Sequence, residues 1–202
     1  DSDMSSEMIL GQLLARNNGI LSDQWYYSTE LRVLNTQLIY ALFFRLSSNW
    51  HFVRMASTLV LWCVLIASYG VLCRVMGCKK SFGVTALLLA APVSESYFRF
   101  VLAGVYYVPH LAIAFAALAL NEAYFKAKPD RKKFWLVVSV LLALVAGLGG
   151  PREIIALYAP LGLAAAAELA WERNNETKRQ QFIYAAFVLS LIHISEPTRL
   201  DV

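Results

Sequence analysis

The sequence is short of charge. Asp, Glu, Lys and Arg make up only 16% of its 202 residues, against 58% hydrophobic. That balance excludes an ordinary soluble domain and points to an integral membrane protein. Cysteine is also scarce. Cys63, Cys73 and Cys78 lie in or beside one apolar run, with no partners at metal-ligand spacing. This excludes a zinc module and leaves them as small buried hydrophobes. No glycine loop ends in Lys-Ser or Lys-Thr, so a phosphate loop is excluded, and Gly147-Leu148-Gly149-Gly150 sits inside an apolar run. No Ser/His/Asp hydrolase signature, internal repeat or low-complexity tract is present. The net charge of +4 comes from cations clustered between apolar runs, which excludes a nucleic-acid partner. An initiator Met and a signal peptide are lacking too. The expectation is a fragment whose upstream part, with a membrane helix, is missing.

What is present begins with acid. Asp1, Asp3 and Glu7 fall within seven positions, just ahead of an apolar-periodic segment. Residues 3–17 read as a short amphipathic helix with Asp3 or Ser5 as N-cap. Met4, Met8, Leu10, Leu13 and Leu14 supply its stripe, and Asn17-Asn18-Gly19 ends it. A loop carries Trp25, Tyr26 and Tyr27. A second amphipathic helix is expected over about 29–48, with Leu34, Leu38, Ile39, Leu42 and Phe43 as its apolar face. Only 12 charge-free residues separate Arg32 from Arg45. A span needs about 20, so this segment is read as lying along the interface.

The apolar runs then follow in series. Residues 55–73 and 100–121 are full-length spans, and 134–151 is another, broken by Gly147, Gly149, Gly150 and Pro151. The runs 81–94 and 154–167 are short, with 14 charge-free positions each. A last run covers 182–195. Loops 74–80, 126–133 and 173–179 carry 11 of the 18 Lys and Arg, whereas the alternate loops carry only Arg99 and Arg152. The positive-inside rule therefore puts the basic loops in the cytoplasm, provided both short runs span. Residues 1–54, Glu95–Arg99 and Arg152–Glu153 then share the outer face. The tail from Ile192 to Val202 resembles translated adapter read-through and is set aside.

Each candidate residue has two readings. Asp1, Asp3 and Glu7 suit a general base, or an oxygen-ligand site for a divalent cation at Asp1 and Asp3. They equally suit first-turn acids favoured by the helix dipole. Arg99 and Arg152 suit capture of a lipid-linked phosphate, and Glu153 beside Arg152 is a further substrate-binding candidate. Local ion pairs, or arginines snorkelling to the interface, are the rival account. His110, placed mid-span, is a functional candidate or an interhelical hydrogen-bonding group. Tyr27 with its aromatic neighbours suits sugar stacking or an interfacial belt, and Glu30 and Arg32 are candidates to line an outer site.

This layout resembles the GT-C superfamily of polytopic glycosyltransferases, in which an acidic motif opens a large outer loop with two interface-lying helices. Protein O-mannosyltransferases and bacterial lipid A aminoarabinose transferases are the relevant members. Asp1-Ser2-Asp3-Met4-Ser5-Ser6-Glu7 occupies the acidic position, and residues 3–17 and about 29–48 the two helices. The resemblance covers roughly residues 1–190, as layout more than motif. It implies an all-α polytopic transmembrane bundle. Residues 1–54 would form the outer loop, 55–191 about six spans and 192–202 a non-native tail. It further implies inverting transfer from a polyprenyl-phosphate sugar to a hydroxyl on a lipid, glycan or protein, in a bacterial plasma membrane. Asp3, or else Asp1, would be the base, and Arg152 would hold the leaving phosphate. A transporter or lipid flippase using His110 and the broken helices is the rival, and a non-catalytic membrane scaffold is the third reading.

Overall fold

The computed structural model describes residues 2–27, 35–148, 157–171, 179–180, 183–184 and 186. Every regular element among them is helical. The chain divides into two compact units, 1–26 with 33–123, and 27–32 with 124–202.

In the first unit α1 covers Ser2–Asn17. It starts ahead of Asp3 and Ser5, so neither caps it. Its end follows the sequence signal. Asn18 takes the left-handed conformation with φ 50°, and the Gly19 N–H donates to the Leu14 carbonyl at 3.3 Å. Helix α2, Thr36–Phe44, is shorter than the expected 29–48, of which residues 29–34 lie outside the described residues. Asn35 caps α2, its side chain accepting from the Thr36 N–H at 2.8 Å. The face of α2 is also not the expected one. Thr36, Gln37, Tyr40 and Ala41 are buried, while Leu42 is exposed and Leu38, Ile39 and Phe43 are only partly covered. Thr36 packs inward because its hydroxyl has the Glu7 carboxylate as a hydrogen-bonding partner there. The apolar side turns outward, which suits a helix lying against lipid.

Helix α3, Trp50–Met76, outruns the expected 55–73 because Arg54 and Arg74 lie inside its terminal turns. Asn49 caps its start, accepting from the N–H groups of His51 and Phe52 at 3.0 and 3.2 Å. Gly77, with φ +82°, ends it in a left-handed turn. At 27 residues the helix is about 40 Å long, more than enough to cross a bilayer. Its buried stripe is Val53, Ser57, Leu61 and Leu65, continuing to Leu72 and Cys73. Of the three cysteines only Cys73 is buried. Cys63 and Cys78 are exposed, which corrects the expectation for those two.

The next segment departs most from expectation. Helix α4, Phe82–Ala90, stops at Ala91-Pro92. The one-turn α5, Glu95–Tyr97, continues into a π-helix at Phe98–Ala103. The axes on either side of the break differ by 91°. Helix α6 starts only at Val108 and runs to Lys126. Residues 100–121 are therefore not one span but a π-helical turn, a break at Gly104–Tyr107 and a separate helix. Pro92 lacks an N–H to continue α4, and Val105 takes φ +50°, where α-helix cannot propagate. Side chains satisfy the carbonyls at the breaks. The Tyr97 hydroxyl donates to the Leu89 carbonyl at 2.6 Å, and Trp62 Nε1–H donates to the Leu102 carbonyl at 3.3 Å. Interrupted backbone at membrane depth needs such partners, since lipid offers none. Leu61, Leu65, Val101, Val105 and Val108 form one buried cluster, with Ile39 of α2 packed against it. Tyr69 of α3 stacks on Phe82 of α4 and meets Phe115 of α6.

In the second unit α7 covers Pro129–Leu148, and α8 covers Ala159–Trp171. Pro129 opens α7, a position where its missing N–H costs nothing. Among the described residues two helices, α3 and α6, are long and apolar enough to cross a membrane, and the bent segment at 82–103 makes a third if it counts as one span. The last apolar run falls mostly outside the described residues.

Candidate functional site

The opening acidic segment is built into the first unit through its third acid. Glu7 is 3% exposed, and the Thr36 hydroxyl donates to its Oε2 at 2.8 Å. Leu10 and Leu14 are buried on the same side of α1 as Glu7, and Met8 is buried as well. Gly11 makes the close contact possible. A Cβ there would stand 2.6 Å from the Cβ of Tyr40 and 3.1 Å from the Gln37 carbonyl oxygen. Any side chain at position 11 would hold the helices apart and stretch the Glu7–Thr36 bond.

Tyr40 closes the lower part of this contact. It packs with Met8 and with Val53 of α3, so the three helices share one small core. Burial pushes the Tyr40 phenol up from 10.0 to about 12. The Arg54 guanidinium opposes that rise, and the Glu7 carboxylate adds to it. Tyr40 therefore stays a neutral hydroxyl at any physiological pH. Aromatic contacts continue the joint, with Phe44 edge-on to Trp50 at 5.2 Å and Phe43 edge-on to Phe52 at 6.3 Å. The acidic helix is thus tied through α2 to the first turns of α3.

The other candidates are dispersed. Asp3 lies in α1, one turn before Glu7, and its side chain is not among those described. Asp1, Glu30, Arg32, Arg152 and Glu153 lie outside the described residues. Arg99 is exposed and bonds Glu95 at 2.7 Å, one turn back along its own helix. His110 is the third residue of α6, near its start rather than mid-span, with the Tyr107 ring centroid 6.2 Å away. Tyr27 and Trp25 are half-buried and Tyr26 is almost fully exposed. No group of three or more His, Cys, Asp or Glu stands close enough to hold a metal ion among the described residues.

Thr36, Gln37, Tyr40 and Arg54 went unread in the sequence. A signal for the first three exists. Asn35-Thr36-Gln37 is a polar triplet opening an apolar helix, and Tyr40 follows Thr36 by one turn. Polar groups so placed cap the helix or meet a buried partner.

No family model matches the chain, and no significant similarity to a curated protein or a solved structure was found.

Proposed function

We propose that this chain acts in membrane-embedded glycosyl transfer, moving a sugar from a polyprenyl-phosphate donor to an acceptor hydroxyl. The observation that supports it is the seating of the acidic segment. Glu7 is buried against Thr36, so α1 is fastened to a helix joined to the start of α3, and α3 is able to span a membrane. A carboxylate next to a bilayer surface is useful as a base only if it is held in place. In this reading residues 1–54 lie on the outer face of the plasma membrane, and the spans form a polytopic bundle.

Asp3 removes the proton from the acceptor hydroxyl, on a lipid, glycan or protein. The resulting oxygen nucleophile attacks the anomeric carbon opposite the phosphate, the carbon–phosphate-oxygen bond breaks, and the configuration inverts. Arg152 pairs with the departing polyprenyl phosphate. Asp1 is the alternative base, and a divalent cation would be held by Asp1 and Asp3. Glu7 holds α1 in place and leaves the chemistry to its neighbours. The test uses the intact protein in membranes. Asp3→Asn is expected to lower transfer from a lipid-linked sugar by about 100- to 10,000-fold, the usual worth of a positioned base. Unchanged transfer in both Asp3→Asn and Asp1→Asn sinks the mechanism.

One observation favours a second reading, a transporter or lipid flippase. The 91° bend, the π-helical turn and the left-handed Val105 make a discontinuous membrane segment of the kind substrate paths use. Lipid translocation by the purified protein in vesicles, in the absence of any sugar donor, would favour that reading over transfer.

A further inference from the structure

The turn between α6 and α7 concentrates positive charge more than any other described part of the chain. Lys126, Lys128, Arg131, Lys132 and Lys133 fall within eight positions, with Asp130 the one acid among them. All but Lys132 are exposed. The backbone turns here into helix, with the N–H groups of Arg131 and Lys132 both donating to the Lys128 carbonyl at 2.9 and 3.2 Å. Lys128 therefore stands one turn from both Arg131 and Lys132, and the three repel one another. Arg131, Lys132 and Lys133 also stand in the opening turns of α7, where the helix dipole favours acids and disfavours cations. Lys132 is drawn over the Tyr124 ring, 5.6 Å from its centroid. An arrangement so unfavourable within the chain calls for negative charge from outside it.

The flanking residues say what carries that charge. Tyr124 and Phe125 precede the cations, and Phe134 and Trp135 follow them. Phe134 is 61% exposed. Aromatic residues that bracket cations at the end of a spanning helix mark headgroup depth. We propose that the α6–α7 turn binds the phosphates of anionic phospholipids, with Lys128, Arg131 and Lys133 as the principal contacts. The site is independent of the transfer reaction and stands whichever function is correct.

The full chain is purified in detergent with equal amounts of phosphatidylcholine and phosphatidylglycerol, and retained lipids are counted by native mass spectrometry. Wild type is expected to retain phosphatidylglycerol preferentially. Each surface cation contributes about fivefold to affinity, so the Lys128→Gln/Arg131→Gln/Lys133→Gln variant is expected to lose preference by roughly a hundredfold. Lys128→Arg with Lys133→Arg should keep it. Equal retention of the two lipids by wild type overturns the proposal, as does an undiminished preference in a folded triple variant. If that variant does not fold, a salt series on wild type decides, because preference unaffected between 0.1 and 0.5 M salt is incompatible with phosphate binding by exposed cations. Displacement of the lipid by millimolar inorganic phosphate would assign the site to a soluble anion and overturn the lipid reading.

Discussion

Two glycines matter for different reasons. Gly11 matters because backbone lies against it, and Gly77 matters because of its own backbone conformation. Gly11→Ala forces a Cβ into the Cβ of Tyr40 and the Gln37 carbonyl, neither of which is a flexible side-chain end. The variant is expected to lose about 1–3 kcal/mol of stability and to open α1 to protease. Gly77→Ala meets nothing within 4 Å and pays only for φ +82°, about 1 kcal/mol. Thermal unfolding with limited proteolysis separates the two, since only Gly11→Ala should expose α1 before the rest. Tyr40 adds a pH signature. Its folded pKa is raised from 10.0 to about 12, so the unfolded chain gives up this proton first. The stability linked to Tyr40 is complete below pH 10 and is lost as pH rises to about 12. Ultraviolet titration of phenolate should show a late-ionising component that falls by one tyrosine in Tyr40→Phe.

Among the helices, the broken segment between α4 and α6 depends on two capping side chains. Trp62→Phe keeps an aromatic ring, a smaller one, and removes the N–H that serves the Leu102 carbonyl. The expected loss is about 1–3 kcal/mol, with faster amide exchange confined to residues 98–108. Uniform exchange throughout α3 and α6 would mean that Trp62 acts by packing alone. The sequence announced the end of α1 through Asn17-Asn18-Gly19, whereas Asn49, Gly77 and Pro129, equally familiar at helix ends, went unread. It did not announce the π-helical turn or the left-handed Val105. Valine resists that conformation, and only the surrounding cluster of Leu61, Leu65, Val101 and Val108 imposes it. The candidate site was half legible for the same reason. Three acids before an apolar stripe identified α1. That Glu7 would be buried depended on Thr36, 29 positions away, and no local pattern carries such a pairing. The buried side of α2 misled for another reason. In a helix facing lipid, apolar residues need not point inward.

Across the molecule, the two exposed cysteines report both immersion and orientation. Cys63 lies in the middle of α3 and Cys78 just beyond its left-handed end. A membrane-impermeant maleimide should leave Cys63 unlabelled in intact membranes because lipid covers it. It should reach Cys78 only after permeabilisation, if the basic loops are cytoplasmic. Labelling of Cys78 in sealed cells would invert the topology and move α1 to the inner side. The joint between α1 and α2 also dictates an order in time. Synthesis delivers Glu7 well before Thr36, and a lone 16-residue helix is marginal in water. Until α2 emerges, α1 has neither the hydroxyl for its carboxylate nor the surface for Leu10 and Leu14. The acidic helix therefore settles only once its successor has been made, and the start of α3 fixes both. Helix α1 is translated before α2 and α3, yet it is the last of the three to reach its final place.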